Sequence, residues 1–385
     1  MAIDPDVAII EPIGGHGGMD YYDFGLCRGL LAAGCHVSLY SCDETVAPAI
    51  AGLRFYPVYR RVFGRGNRWI RGYRYLRGTV ASLARALAQG QRICHLHLFT
   101  GEIEGAVLVV LSKLCGRRVV ITVHDVESFS PVAASQTAVG RVYRLADRLI
   151  VHNQVSKSEL VERLGVPSAR IATIPSGNYM DDVREPCDPA IAKHAMGIGD
   201  SHKVILFFGQ IKEAKGLDIL IEAIPEVARA VPEITLLIAG RPWKTDFSPY
   251  EALIDRLGIR DRCTLHIRYI PNEELGHYFA AADVVVLPYR RIYQSGVILL
   301  AMSYGTAVVV SDIPGMTEMV TDGQNGYVFA RGSKDSLAER LIKVLQDDQG
   351  RGAVAKQALE YVRHNHNWEE IGRRTAELYR DVLTS

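Results

Sequence analysis

Phe207-Phe208-Gly209-Gln210-Ile211-Lys212-Glu213-Ala214-Lys215-Gly216 passes from an apolar run through a loop into a helical pattern. The apolar run begins at Val204, and its unbroken character suits a strand covered on both faces. Gly209 interrupts it, and Leu217 to Val231 then carries apolar residues at helical spacing. Strand, glycine turn and helix in this order form the unit of a parallel sheet. A lysine in such a turn, beside the free amides of a helix start, can neutralise a diphosphate.

The same alternation runs outward in both directions. C-terminal to it, strands are predicted at Thr235 to Ala239, Thr264 to Ile267, Val284 to Leu287 and Ala307 to Val310, separated by helical stretches up to Asp347. N-terminal to it, Asp181 to Ser201 is rich in Asp, Pro and Gly and reads as a linker. Before the linker, Val7 to Ile10, Val37 to Tyr40, Ile93 to Leu98, Val119 to Val123, Arg148 to His152 and Ile171 to Ile174 read as strands. Two α/β halves follow, each a doubly wound Rossmann-like unit. A chain of 385 residues has the length for two such cores.

The first strand leads into Gly14-Gly15-His16-Gly17-Gly18 and a helix from Tyr21 to Ala33. Gly15, Gly17 and Gly18 would let a diphosphate approach the helix N-terminus. The order is not G-x-G-x-x-G, so a tight turn without a ligand stays open as the plainer reading.

Composition narrows the class. The chain is 48% hydrophobic and 23% charged, which suits a globular enzyme and not a disordered segment. A formal net charge of +1 does not select nucleic acid as a partner. Seven dispersed cysteines without Cys-x-x-Cys spacing suit reduced thiols in a cytoplasm. No leader pattern is read at the N-terminus, and Ala106 to Leu111 is far shorter than the ~20 apolar residues of a membrane span.

With these segments in place, the chain resembles the family-4 glycosyltransferases over most of its length. The 207–216 segment resembles their G-R-L-x-x-x-K-G stretch, and Ile174-Pro175-Ser176-Gly177-Asn178 their I-P-N-G-V. Asp283-Val284-Val285-Val286-Leu287-Pro288 is similar to A-D-V-x-V-x-P-S. Ala301-Met302-Ser303-Tyr304-Gly305-Thr306-Ala307-Val308-Val309 is similar to E-A-M-A-C-G-T-P-V-V, and Ile313 to Val320 to G-G-x-x-E-x-V. The resemblance implies the GT-B fold, two domains facing across a cleft. The first would span 1–178 and be completed by a C-terminal helix within 363–385; the second, nucleotide-sugar-binding domain would span 179–362.

It also implies a site. Lys215 would bind the donor diphosphate, with Gly209 allowing close approach and Ser295, Gly296 and Val297 offering helix-start amides. Glu318 fits the family pattern; apart from the resemblance, base selection is expected around Arg241 and Arg268 to Ile270, including Tyr269, with backbone contacts as the alternative. His124, followed by Asp125, resembles the family's active-site histidine at a strand end. His16 and Asp20 are the candidate bases if the reaction inverts; family likeness favours retention.

Three departures stand out. Gln210 replaces the family arginine, with Lys212 able to supply the missing cation. Ile292 and Leu300 occupy the places of the two family glutamates, the second of which holds a ribose diol. The segment from Pro288 to Val297, including Tyr293 and Gln294, looks like a P-Y-x(5)-S-G-V variant within the family.

From Thr45 to Gly101 there is no Asp, Glu or Lys, but there are ten arginines. Trp69, Tyr73, Leu76, Val80, Leu83 and Leu87 fall on one helical stripe. The stripe itself is expected to pack on its own sheet. The arginine excess, with Arg60, Arg61, Arg65, Arg68, Trp69 and Arg71 foremost, is expected to meet a membrane or a lipid diphosphate.

These readings converge on a glycosyltransferase of surface polysaccharide or glycolipid biosynthesis, moving a hexose-type sugar from a UDP- or GDP-sugar to a saccharide or lipid-linked acceptor, such as one on a polyprenyl diphosphate. No cofactor, metal or nucleic-acid partner is expected. The expected location is the cytoplasm, peripheral to the inner face of its membrane. A sugar-nucleotide epimerase of the same architecture and a catalytically inert nucleotide-binding module at a membrane stay open.

Overall fold

The computed structural model describes residues 4–64, 67–98, 103–124, 136–183, 187–243 and 246–385. Asp125 and Arg65 lie outside the described residues. The chain divides into two compact units, Met1–Gly177 with His366–Ser385, and Asn178–Asn365.

The first unit runs β1 (Asp6–Ile10), α1 (Asp20–Ala32), β2 (His36–Cys42), β3 (Arg54–Tyr59), α2 (Arg68–Ala88), β4 (Ile93–Leu98), α3 (Ile103–Leu114), β5 (Arg118–Val123), α4 (Gln136–Leu145), β6 (Arg148–Val151), α5 (Gln154–Glu162) and β7 (Ile171–Thr173). Its seven strands form a parallel sheet in the order β3-β2-β1-β4-β5-β6-β7. The strand order reverses between β1 and β4, and in open parallel sheets ligands sit at such switch points, beyond the C-terminal strand ends.

The second unit runs α6 (Pro189–Ala195), β8 (Lys203–Phe208), α7 (Leu217–Ala230), β9 (Ile234–Ala239), α8 (Ser248–Arg256), β10 (Cys263–His266), α9 (Leu275–Ala281), β11 (Val284–Leu287), α10 (Gly296–Ser303), β12 (Val308–Ser311), α11 (Pro314–Thr317), β13 (Tyr327–Phe329), α12 (Lys334–Gln346) and α13 (Asp348–Asn365). Its sheet order is β10-β9-β8-β11-β12-β13, again parallel, with the switch between β8 and β11. Alternate residues of β8 feed two cores. Ile205 and Phe207 join one, and Val204 and Leu206 the other. This is why the strand reads as continuously apolar.

The last helix, α14 (Trp368–Thr384), belongs to the first unit and packs on α1. Glycines allow the contact: a Cβ on Gly372 would lie 2.0 Å from the Gly29 carbonyl carbon, and one on Gly25 would lie 2.1 Å from the Trp368 ring.

Two expectations are corrected here. The 181–201 stretch is not all linker, because Asp188 caps α6 by accepting from the amides of Ala190 and Ile191, with Pro189 at the first position. The α2 stripe does not pack on its sheet. Trp69 is 73% exposed, Tyr73 67% and Val80 54%, and Leu83 is the one buried member. The sheet-facing side of α2 is instead Gly78, Thr79, Ser82, Leu83 and Ala86. Tyr59 explains the choice, since a Cβ on Gly78 would meet its ring at 2.5 Å.

Candidate functional site

In the second unit the β8–β11 switch point gathers Lys215, Gly209 and the start of α10. Gly209 closes β8 with φ 103°, and its amide donates to the Ala239 carbonyl at 2.9 Å. Gly216, with φ 64°, precedes α7, and a Cβ there would fall 2.0 Å from the Pro288 oxygen. The loops after β8 and β11 are thus in backbone contact, and Arg290 N donates to Ala214 O at 2.8 Å across them. Between them Lys215 Nζ lies 5.2 Å from the centre of the Tyr289 ring.

Part of the Lys215 side chain is open to solvent, yet packing around its ammonium is tight enough for burial to lower its pKa to about 8. No carboxylate neighbours it among the described residues. An uncompensated, desolvated cation is costly unless an anion arrives. The Ser295 hydroxyl at the start of α10 does not cap the helix amides but donates to Tyr289 Oη at 3.5 Å, and helix geometry leaves the first amides, Gly296 and Val297, without intrahelical partners. Gln294 Oε1 is buried there without a hydrogen-bond partner.

The other donor-side candidates share the same sheet edge. Ile211 N donates to Arg241 O at 2.9 Å, so the loops after β8 and β9 run together. Lys212 Nζ lies 4.2 Å from the Trp243 ring centre, and Gln210 and Arg241 are exposed. Beyond β10, Tyr269 is 59% exposed whereas Ile270 is buried. Tyr293 is buried, and its carbonyl would lie 3.0 Å from a Cβ on Gly315. Glu318 stands at the C-terminal end of α11, not at a helix N-terminus, so dipole complementation does not account for it. Leu300 is buried in a core that Ile292 packs against; neither family glutamate has a polar substitute at its own position. Arg290 is engaged by Asp218, with Nη1 at 2.8 Å from Oδ1.

In the first unit, the ends of β1, β4, β5 and β6 bring together groups that sequence reading only partly found. His95 and His97 alternate along β4, and His124 and His152 follow β5 and β6. Neighbouring rings stand 5.0 Å (His95–His97), 5.3 Å (His97–His124) and 5.2 Å (His124–His152) apart. Tyr22 packs edge-on against His97, His124 and His152. Burial lowers the pKa of His97 and of His152 to about 4, and pushes His124 well below the usual range. All are neutral imidazoles near pH 7. Burial also raises Glu11 to about 8 and Asp23 well above the usual carboxylate range. His97 Nδ1 lies 3.0 Å from Asp23 Oδ1, off the line that a hydrogen bond needs. Of these groups, the sequence motifs point to His124 alone. The available signal for the rest was a histidine or acid at the end of each predicted strand.

The glycine loop is corrected. Glu11 carboxylate oxygens accept from the amides of Ile13 (3.0 Å) and Gly14. Gly15 N donates to Thr45 Oγ1 at 3.0 Å, and Gly17 N to Gly14 O at 3.2 Å. The amides of Gly15 and Gly17 are therefore not available to a diphosphate, and Asp20 at the first position of α1 places a carboxyl where one would approach. Gly18, with φ 72°, is the loop's open position. His16 pairs with Glu44 at 2.8 Å and stacks on Phe63 with centroids 4.2 Å apart. Burial raises the pKa of Asp20. At the β1–β4 switch point a cavity of about 320 Å3 is lined by Ile13, Phe63, Arg68, Arg71, Tyr75 and His97, among others. Arg60, Arg61 and Trp69 are exposed nearby in sequence, on and before α2. Among the described residues no group of three His, Cys, Asp or Glu could hold a metal ion, and no helix is long and apolar enough to cross a membrane.

Two family models match the chain: Glycosyltransferase Family 4 over residues 16–178 and Glycosyl transferases group 1 over residues 191–361. The D-inositol 3-phosphate glycosyltransferase of Corynebacterium urealyticum is 31% identical over 246 residues, 62% of this chain and 58% of that protein. The chain therefore spans less than two thirds of that relative. The GDP-mannose-dependent alpha-(1-6)-phosphatidylinositol monomannoside mannosyltransferase of Mycolicibacterium smegmatis is 29% identical over 78% of this chain and 80% of its own length. Among solved structures, sucrose-phosphate synthase from Thermosynechococcus elongatus superposes with a TM-score of 0.80 at 21% identity over 99% of both chains. Anabaena HepE in complex with UDP-glucose gives 0.76 at 19% identity, over 98% of this chain and 99% of that one. The chain belongs to the family 4, group 1 glycosyltransferases and has their two-domain α/β GT-B fold.

Proposed function

We propose that this chain transfers a hexose-type sugar from a UDP- or GDP-sugar to a saccharide or polyprenyl-diphosphate-linked acceptor, with retention at the anomeric carbon. The observation that carries the reading is Lys215, a desolvated cation without a carboxylate neighbour, set at a strand-order switch beside the start of α10. Negative charge growing on a departing nucleoside diphosphate is what such a site stabilises. Lys212 stands in for the arginine replaced by Gln210. With Leu300 buried among apolar side chains, the ribose is held by other groups, and Glu318 is the acidic candidate on the following segment.

On the first unit, His124 is the catalytic histidine beside the transferred sugar, and Arg68 and Arg71, which line the cavity, serve the acceptor. The exposed Trp69, Tyr73 and Val80 on α2, interleaved with arginines, support peripheral contact with the inner face of a membrane. The relatives named above include one acting on a phosphatidylinositol mannoside, which favours such an acceptor. A donor-hydrolysis assay with UDP-, GDP- and ADP-sugars tests the transferase reading. Slow nucleotide release from one of them is expected; none from any would favour the inert module.

A further inference from the structure

α2 has a hollow on each side of its first turns. One is the cavity at the β1–β4 switch. The other is an open groove of about 860 Å3, lined by Asp43, Arg60, Arg61, Tyr73, Arg74 and Arg77 with Ile70 and Phe55. Four guanidinium side chains border it, and one carboxylate. Both oxygens of Asp43 accept from the Arg61 amide at 3.1 Å. Among the described residues, none of the four guanidinium groups is paired with a carboxylate. Arg60 Nε donates to Pro57 O at 3.3 Å and Arg74 Nη1 to Arg61 O at 3.1 Å. Those carbonyls orient the heads without neutralising them. The absence of Asp, Glu and Lys from Thr45 to Gly101 keeps the excess local.

We propose that this groove is a binding site for the phosphate or diphosphate head of a membrane lipid. It deepens the membrane contact proposed above by naming the headgroup pocket. Guanidiniums recognise phosphate through paired N–H donors, so several converging on one groove suit a doubly charged group better than a single negative charge. The apolar surroundings select the source. Ile70 and Tyr73 line the groove, and Trp69, Leu76 and Val80 continue the exposed face along α2. A lipid meets both the cations and this face. A free phosphate uses only the cations, and a nucleic acid would leave the aliphatic side chains in water.

The test uses the full-length protein carrying Lys215→Ala, so that the diphosphate site of the second unit is silent. Arg60→Gln/Arg77→Gln is compared with Arg85→Gln, an arginine on α2 outside the groove. Sedimentation is measured with phosphatidylcholine vesicles containing phosphatidic acid, and with vesicles matched in charge by phosphatidylglycerol. Phosphatidic acid should be preferred, and the groove variant should lose about fivefold in partitioning for each arginine removed. Arg85→Gln should keep the preference for phosphatidic acid. Equal binding to the two matched vesicles, or an unchanged preference in the groove variant, overturns the site. So does pyrophosphate binding without any vesicle binding, or tighter binding of single-stranded RNA than of vesicles. Circular dichroism of the variants confirms folding. Nucleotide binding by protein with an intact Lys215 is scored separately, so loss of this site leaves the transferase reading standing.

Discussion

A methyl group on Gly209 would lie 3.3 Å from the Lys215 ammonium and 3.3 Å from Val297 Cγ2. One glycine therefore leaves room for both the cation and the helix start that flank the proposed diphosphate site.

Gly209→Ala should weaken nucleotide diphosphate binding, because the methyl pushes against both groups. It should also destabilise the fold by roughly 1–3 kcal/mol, since φ 103° suits glycine and strains alanine. Denaturant unfolding and calorimetric titration with UDP and GDP measure the two effects. A variant that keeps affinity and stability would show that the close approach is unimportant.

Nucleotide affinity should depend on pH through Lys215. Its free-state pKa of about 8 should rise when a diphosphate lies against it. Binding then takes up a proton, and affinity should fall by about tenfold per pH unit above 8. Titration in two buffers of different ionisation enthalpy reads the proton uptake directly. A flat affinity from pH 7 to 9.5 would mean the ammonium does not contact the ligand.

Glu11 should shape the pH dependence of stability in the opposite region. Its pKa is raised from 4.5 to about 8, so the folded state binds more protons than the unfolded chain between those values. Its contribution is fully present below pH 4.5 and is lost as pH rises through 8. Glu11→Gln keeps a neutral side chain at all pH values. The difference in unfolding free energy between wild type and variant should therefore move toward the variant from pH 5 to 8.5. An unchanged difference would place the proton elsewhere in the cluster.

Gly372→Val should destabilise the first unit. The α1–α14 contact leaves no room for a Cβ, which would fall 2.0 Å from the Gly29 carbonyl carbon. Overpacking of this kind typically costs about 1–3 kcal/mol. Denaturant unfolding measures the loss, and an unaffected midpoint would show that the helices can separate cheaply.

Much of the architecture was readable because both faces of β8, β9, β11 and β12 are buried, which writes them as apolar runs. β3 was not read, since Arg54-Phe55-Tyr56-Pro57-Val58-Tyr59 is an edge strand and tolerates both a proline and partial exposure. β13 has three residues, and α13 carries Gly350 and Gly352 with a weak apolar face. α6 had a legible Asp-Pro start that composition masked. At the site, Lys215 was legible as a cation in a strand–helix turn. The histidine array is not, because the His95–His97 pair, His124 and His152 are far apart in sequence and meet only through the order β4-β5-β6. The stripe on α2 faces solvent and not the sheet; spacing reveals a face but not which way it turns. Tyr59 behind Gly78 decides that.

Calorimetric titration of UDP, GDP and ADP into wild type and Lys215→Ala is the most direct check on the donor assignment. At least one nucleotide should bind the wild type and lose most of its affinity in the variant. If a nucleotide diphosphate binds both proteins equally, the lysine-bearing turn after β8 does not hold the donor, and the assignment is wrong.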